Sequence, residues 1–213
     1  MFKNLKMKTP LTSAITVLTI ICITILYIST QTGMTKLMKK SAQDSMKTSL
    51  NSQTTLISEY VSHQEDLLKK FSISPIIIDY LKDLNNKDKQ LKAQQFTENY
   101  FKGLDNWEGI YSGEWNTHVV THSNPKVVGM TTRKGDSLKA LQNAMKENNG
   151  LYNAGIIVSP ASQKLILSMY CPVYDTDGST IVGYVGGGPY MEKLERLLNE
   201  TKKTTKNLYN IRC

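Results

Sequence analysis

The chain has 213 residues, room for one domain and an anchor. It carries 26 Lys and Arg against 18 Asp and Glu, but six of those lysines (Lys3, Lys6, Lys8, Lys36, Lys39 and Lys40) fall in the first 40 residues, which hold no acid. The remainder is nearly balanced at 20 basic and 18 acidic residues, and the only arginines are Arg133, Arg196 and Arg212, so there is no concentrated basic face and no nucleic-acid partner is expected.

Residues 1–10 hold Lys3, Lys6 and Lys8, and residues 11–28 read LTSAITVLTIICITILYI, 18 positions without a charge. That length roughly spans a hydrocarbon core, and the segment's threonine and serine hydroxyls can bond back to helix carbonyls. The lysines in front place the N-terminus in the cytoplasm and the chain beyond the apolar segment outside the cell membrane. A cleaved signal peptide would need a shorter core and small residues at a cleavage site, where this chain has STQTGMTK. A lipoprotein signal would need small residues before Cys22, where Ile20 and Ile21 stand. An uncleaved single-pass anchor is therefore the expectation.

Between Gly33 and Pro75 there is neither Gly nor Pro, so residues 32–72 are expected to form one helix of about 60 Å at 1.5 Å per residue. Met46, Leu50, Gln53, Ile57, Tyr60, Gln64, Leu67 and Phe71 follow each other at alternating spacings of four and three. Such a stripe suits packing on the chain's own domain and pairing with a second subunit, so a homodimer through this helix is expected. Pro75 ends the helix and starts a short amphipathic one. The polar run NNKDKQ leads into a further helix, LKAQQFTENYFKGL, which stops near Gly103.

From there the period changes. WEGIYSGEW and NTHVVTHS alternate as strands, and Ser137–Asn148 reads as a helix capped by Asp136 or Ser137 and stopped by Gly150. LYNAGIIVSP, QKLILSMYCPVYD and STIVGYVGGG are three further strands, the last two joined by a turn at Asp175-Thr176-Asp177-Gly178. MEKLERLLNETKK closes the chain as an amphipathic helix within a tail of residues 191–213. The order predicts an α+β fold: a transmembrane and long helix, then a module over residues 73–190 with a five-stranded antiparallel sheet and helices on one side.

Two motifs in this order carry a resemblance. Val120-Thr121-His122-Ser123-Asn124-Pro125 followed by Val128-Gly129, and Pro172-Val173-Tyr174-Asp175 with Gly178 and Ile181-Val182-Gly183-Tyr184-Val185-Gly186, resemble the Cache (PAS-like) sensor pattern. Ser123 stands where that pattern has proline. The resemblance implies extracytoplasmic small-molecule sensing in chemoreceptors (methyl-accepting chemotaxis proteins), sensor histidine kinases or cyclic-dinucleotide enzymes. The sequence shows no second transmembrane helix or signalling domain after the module, so a fragment of a longer receptor or a truncated product is expected, and the long first helix suits a receptor with two such modules.

No catalytic constellation is present, so no enzymatic activity and no cofactor are expected. His118 and His122, in a strand, would lie about 13 Å apart, too far to share a metal. Gly186-Gly187-Gly188, followed by Pro189, reads as the end of a strand where the backbone bends. Cys22, Cys171 and Cys213 are too scattered for a disulfide set or zinc site, and Cys171 reads as a small buried side chain. The candidate site is a ligand pocket walled by Trp107, Tyr111, Trp115, Tyr152 and Tyr170. Arg133 is its anion clamp, because a guanidinium grips a carboxylate with two parallel hydrogen bonds. The resemblance implies that Thr131–Asp136 lines the pocket, and Asp136 or Asp175 is the expected partner of a ligand amine.

Overall fold

The structure is a computed structural model that describes residues 5–147 and 150–210, with side chains described between residues 13 and 203. Lys3, Asn148, Arg212 and Cys213, and the side chains of Lys6 and Lys8, lie outside the described residues. Helix α1 runs without a break through Leu5–Ser72, because Gly33 keeps a helical backbone. Contacts divide the chain at Ser52 into two units.

The first unit is helical. Its apolar residues are exposed, Leu18 and Leu26 by 65% and 66%, and the stretch is long and apolar enough to cross a membrane. The Thr19, Thr24 and Thr30 hydroxyls donate to the carbonyls of Ile15, Ile20 and Leu26 at 2.7–2.8 Å, which removes polar groups that lipid would not satisfy.

The second unit holds the rest of α1 and the helices α2 (Pro75–Lys82), α3 (Lys87–Lys102), α4 (Gly135–Glu147) and α5 (Glu192–Asn210). Pro75 sits in the first turn of α2, where its missing N–H costs nothing. Helix α3 starts four residues ahead of the expected Leu91, because the Asn86 side chain accepts from the Asp88 and Lys89 N–H groups. Helix α4 starts at Gly135, whose φ of +58° only glycine adopts readily, so Asp136 and Ser137 lie in its first turn rather than capping it.

Among the described residues, five strands complete the domain: β1 (Trp107–Gly113), β2 (Val119–His122), β3 (Tyr152–Val158), β4 (Leu165–Tyr174) and β5 (Ile181–Pro189). All pair antiparallel in the order β2-β1-β5-β4-β3. Alternation along β4 defines two faces. Met169, Cys171 and Val173 pack in one cluster with Tyr60, Leu68 and Phe71 of α1, Ile77 and Tyr80 of α2, Ala93 of α3 and Leu194 of α5. Tyr170 points the other way, to Leu141 and Met145 of α4. Helices therefore cover both faces, not one as expected: α4 is amphipathic and connects β2 to β3 across the opposite side.

The α1 stripe divides accordingly. Tyr60, Gln64 and Phe71 are buried in this domain's own core, while Met46, Leu50 and Ile57 are 66%, 61% and 38% exposed. Gln64 is there to bond: its Oε1 accepts from the Trp107 indole at 2.8 Å. The Tyr100 hydroxyl donates to the Leu67 carbonyl at 2.7 Å and Asn153 Nδ2 to Glu65 at 2.9 Å, so α3 and β3 are also tied to α1. Cys171 is buried with its thiol 2.7 Å from the Gly150 carbonyl, and burial pushes its pKa up, as befits an inert core residue.

The triple glycine lies inside β5, in the middle of the sheet, rather than ending it. A Cβ at Gly188 would sit 1.8 Å from the Leu167 carbonyl oxygen, and one at Gly187 would sit 2.4 Å from the Gly109 oxygen. Neighbouring backbones approach too closely for any side chain there.

Candidate ligand-binding site

One register row crosses all five strands on the α4 face: His122, Tyr111, Gly186, Tyr170, Tyr152. The outer pairs stack, Tyr111 on His122 at 5.4 Å and Tyr152 on Tyr170 at 6.3 Å between centroids. Gly186 leaves the centre of the row without a side chain, and the Tyr111 ring leans into that space, 2.6 Å from where a Cβ would stand. Tyr184, two residues along β5 and fully buried, meets the edge of Tyr111 at 5.9 Å. Leu141 and Met145 of α4 close over this layer, with Trp115 packed beside them.

Arg133 enters from the β2–α4 segment. Its backbone is held by one hydroxyl: Thr117 Oγ1 accepts from the Arg133 N–H and donates to the Arg133 carbonyl, both at 3.0 Å. The side chain then reaches Tyr170, with Nη2 donating to the phenol oxygen at 3.1 Å and Cζ lying 5.5 Å from the ring centroid. Ser168 Oγ donates to the same oxygen at 3.1 Å, so the Tyr170 O–H remains for another acceptor. The Thr132 hydroxyl stands 3.5 Å from that of Tyr184.

The electrostatics suit an anion. Burial, with Tyr184 beside it, pushes the Tyr111 phenol well above its usual range, and burial raises Tyr184, so both are neutral donors. Burial works to lower the Arg133 pKa but is outweighed by Tyr170, Tyr111 and Tyr184, and the guanidinium stays charged. Burial lowers His122 to about 4, with Glu108 opposing, so the ring is neutral at physiological pH. Its Nδ1 accepts from the Asn124 N–H at 2.8 Å.

Of the residues expected to line a pocket, the structure brings together Tyr111, Trp115, Arg133, Tyr152 and Tyr170. It does not bring in Trp107, which is buried on the opposite face against Gln64 because the β1 bulge beside it sets its side. Asp175 lies in the β4–β5 turn, paired with Lys82 at 2.7 Å, and Asp136 is exposed in the first turn of α4. Trp115 lies in the β1–β2 turn rather than in a strand, its carbonyl accepting from Gln142 at 2.8 Å. Sequence reasoning missed Tyr184, Gly186, Ser168, Leu141 and Met145. Counting by twos from Tyr170 and back from the Asp175–Gly178 turn would have placed Ser168, Tyr184 and Gly186 on the same face.

No family model matches the chain, and no curated protein matches it by sequence. Solved structures do match in fold. The sensor domain of the Vibrio cholerae histidine kinase DctB aligns with a TM-score of 0.59 at 11% identity, over 74% of this chain and 59% of that one. The extracellular domain of vpHK1S-Z8 aligns at 0.57 and 15% identity, over 74% and 63%. The ligand-binding domain of the Campylobacter jejuni chemoreceptor Tlp3, in complex with 4-methylisoleucine, aligns at 0.53 and 16% identity, over 70% and 58%. This chain thus spans about three fifths of the length of these domains. Its fold is that of the PAS-like, Cache-type extracytoplasmic sensor domains, as the two sequence motifs implied. Its particular version of that fold is marked by one arginine set among four tyrosines on the α4 face.

Proposed function

We propose that the chain is the ligand-sensing module of a transmembrane receptor, with its N-terminus in the cytoplasm, α1 as anchor and output helix, and the Arg133 cluster as the site. The carrying observation is Arg133 itself: a charged fork with a clamped backbone, surrounded by neutral hydrogen-bond donors and aromatic walls. Such a set binds a small carboxylate-bearing metabolite. The site and α1 lie on opposite faces of one sheet, so an occupant that shifts the β1, β4 and β3 rows acts on Trp107–Gln64 and Asn153–Glu65, the bonds that tie the sheet to α1. Exposed Met46 and Ile57 on the α1 stripe face a second copy of the chain in this reading. A chemoreceptor is the receptor type we favour; a histidine kinase or cyclic-dinucleotide enzyme would use the same module.

The test is a thermal-shift screen of short organic acids and amino acids against the full chain in lipid nanodiscs. A binder at a hundred times its Kd stabilises the native state by about 2.7 kcal/mol. Arg133→Lys keeps the charge and loses the two-pronged grip, so the affinity of that binder should fall about ten- to a hundredfold, the equivalent of 1.5–3 kcal/mol. An unchanged affinity removes Arg133 from the site. A screen without a stabiliser favours an anchored interaction module that takes no small acid.

A further inference from the structure

The charges around the cluster narrow the class of acid, and this narrowing rests on Arg133 being the ligand site. An α-amino acid carries a carboxylate and an ammonium on neighbouring carbons. A site that grips its carboxylate must also take the ammonium out of water and supply a counter-charge or three acceptors. Residues 1–12, 148–149 and 204–213 contain no Asp or Glu, so all 18 acids of the chain lie among the residues with described side chains. None forms an ion pair with Arg133, whose side chain bonds to a phenol. Four of the acids nearest in sequence to the site are engaged or exposed. Asp136 and Glu147 are exposed at the two ends of α4, Glu114 is bonded to Asn116 in the β1–β2 turn, and Asp175 is paired with Lys82. Glu108, half-buried with an Oε1 that has no hydrogen-bond partner among the described residues, lies at the His122 end of the row, where its effect is felt by that imidazole; the groups felt by Arg133 are Tyr170, Tyr111 and Tyr184. A second cation adds to the imbalance: Lys146 Nζ lies 5.9 Å from the centroid of Trp115. The oxygens that are present, Tyr170, Tyr184, Thr132 and Ser168, belong to hydroxyls already bonded to one another or to Arg133.

We infer that the site selects short organic carboxylates without an α-ammonium, the 2-hydroxy and 2-oxo acids being the best suited. Arg133 takes the carboxylate. The Tyr170 and Thr132 hydroxyls face an oxygen on the neighbouring carbon, where an ammonium would meet the Arg133 guanidinium, with no acid among the groups felt by that guanidinium. Selectivity of this kind comes from what the site lacks: an amino acid leaves its own charge unpaired.

Matched pairs test this by calorimetry on the full chain in nanodiscs: lactate and pyruvate against alanine, and 2-hydroxy- and 2-oxoisovalerate against valine. Each acid that binds should do so at least about tenfold more tightly than its amino-acid twin. Thr132→Asp, which adds a carboxylate beside the Tyr184 hydroxyl, should narrow or reverse that gap. If an amino acid binds as tightly as its twin and Arg133→Lys weakens both, the selectivity inference falls while the Arg133 site stands. If nothing in either series binds, the selectivity inference falls; if Arg133→Lys leaves the bound member of each pair unchanged, the site itself falls. Should Thr132→Asp fail to fold, the comparison on the native chain decides alone.

Discussion

At the scale of single residues, two ionisable side chains at the same cluster behave oppositely. Arg133 keeps its charge against burial beside Tyr170, Tyr111 and Tyr184, and its proposed role is read in affinity. His122 loses its charge to burial, and its role is read in stability. Its folded pKa, about 4, lies below the ordinary 6.5, so between these values the unfolded chain binds the proton more readily. Stability should therefore fall as pH drops from about 6.5 towards 4, and flatten for this group below that. His122→Gln, which can still accept from the Asn124 N–H, should show a shallower loss of Tm over that window than the parent chain. Parallel curves for the two proteins would assign the acid sensitivity to other groups.

At the scale of elements, β5 and α1 show what pattern can and cannot carry. The existence and order of all five strands and of the helices were legible, because alternation, turn residues and Pro/Gly breaks act locally. The pairing of sheet faces with helices was not, because it depends on where α4 crosses, and nothing within a single strand records that. Gly186–Gly188 read as a strand end because glycine weakens a strand in isolation; their reason is the closeness of β1 and β4, a tertiary fact. Two of these positions should also differ under substitution. Gly186→Ala meets the Tyr111 ring, a side chain that can turn, so the variant should fold with roughly 1–3 kcal/mol lost and with altered ligand affinity. Gly188→Ala meets the Leu167 backbone and should not yield folded protein, as near-native circular dichroism and Tm would disprove. Along α1, Phe71→Ala removes a fully buried ring stacked near Phe96 and Tyr100 and should cost about 3–5 kcal/mol. Met46→Asp with Ile57→Asp should instead leave Tm nearly unchanged and convert dimers to monomers by light scattering; dimers that persist would take the second copy off this stripe.

At the scale of the whole molecule, a helix long and apolar enough to cross a membrane and the fold class were legible from a charge-free run and from two short motifs, since both are written in contiguous residues. The candidate site was only half legible. Arg133 stood out by rarity and four aromatics by density, but Trp107 and Asp175 share composition with the site and not its side of the sheet. The expected topology has its own check: a reporter active only outside the cytoplasm, fused after Gly33, should be active, because the lysines before Leu11 hold the N-terminus inside. Activity of a cytoplasmic reporter at that point would reverse the orientation.

The two tryptophans of the chain lie on opposite faces of one sheet, Trp107 against Gln64 and Trp115 beside the Arg133 cluster. Each face thus carries its own fluorophore. With Trp107→Phe, emission comes from the ligand face alone; with Trp115→Phe, it comes from the contact between sheet and α1. On the proposed reading, occupancy and its arrival at the helix become two separate optical signals, recorded without a label.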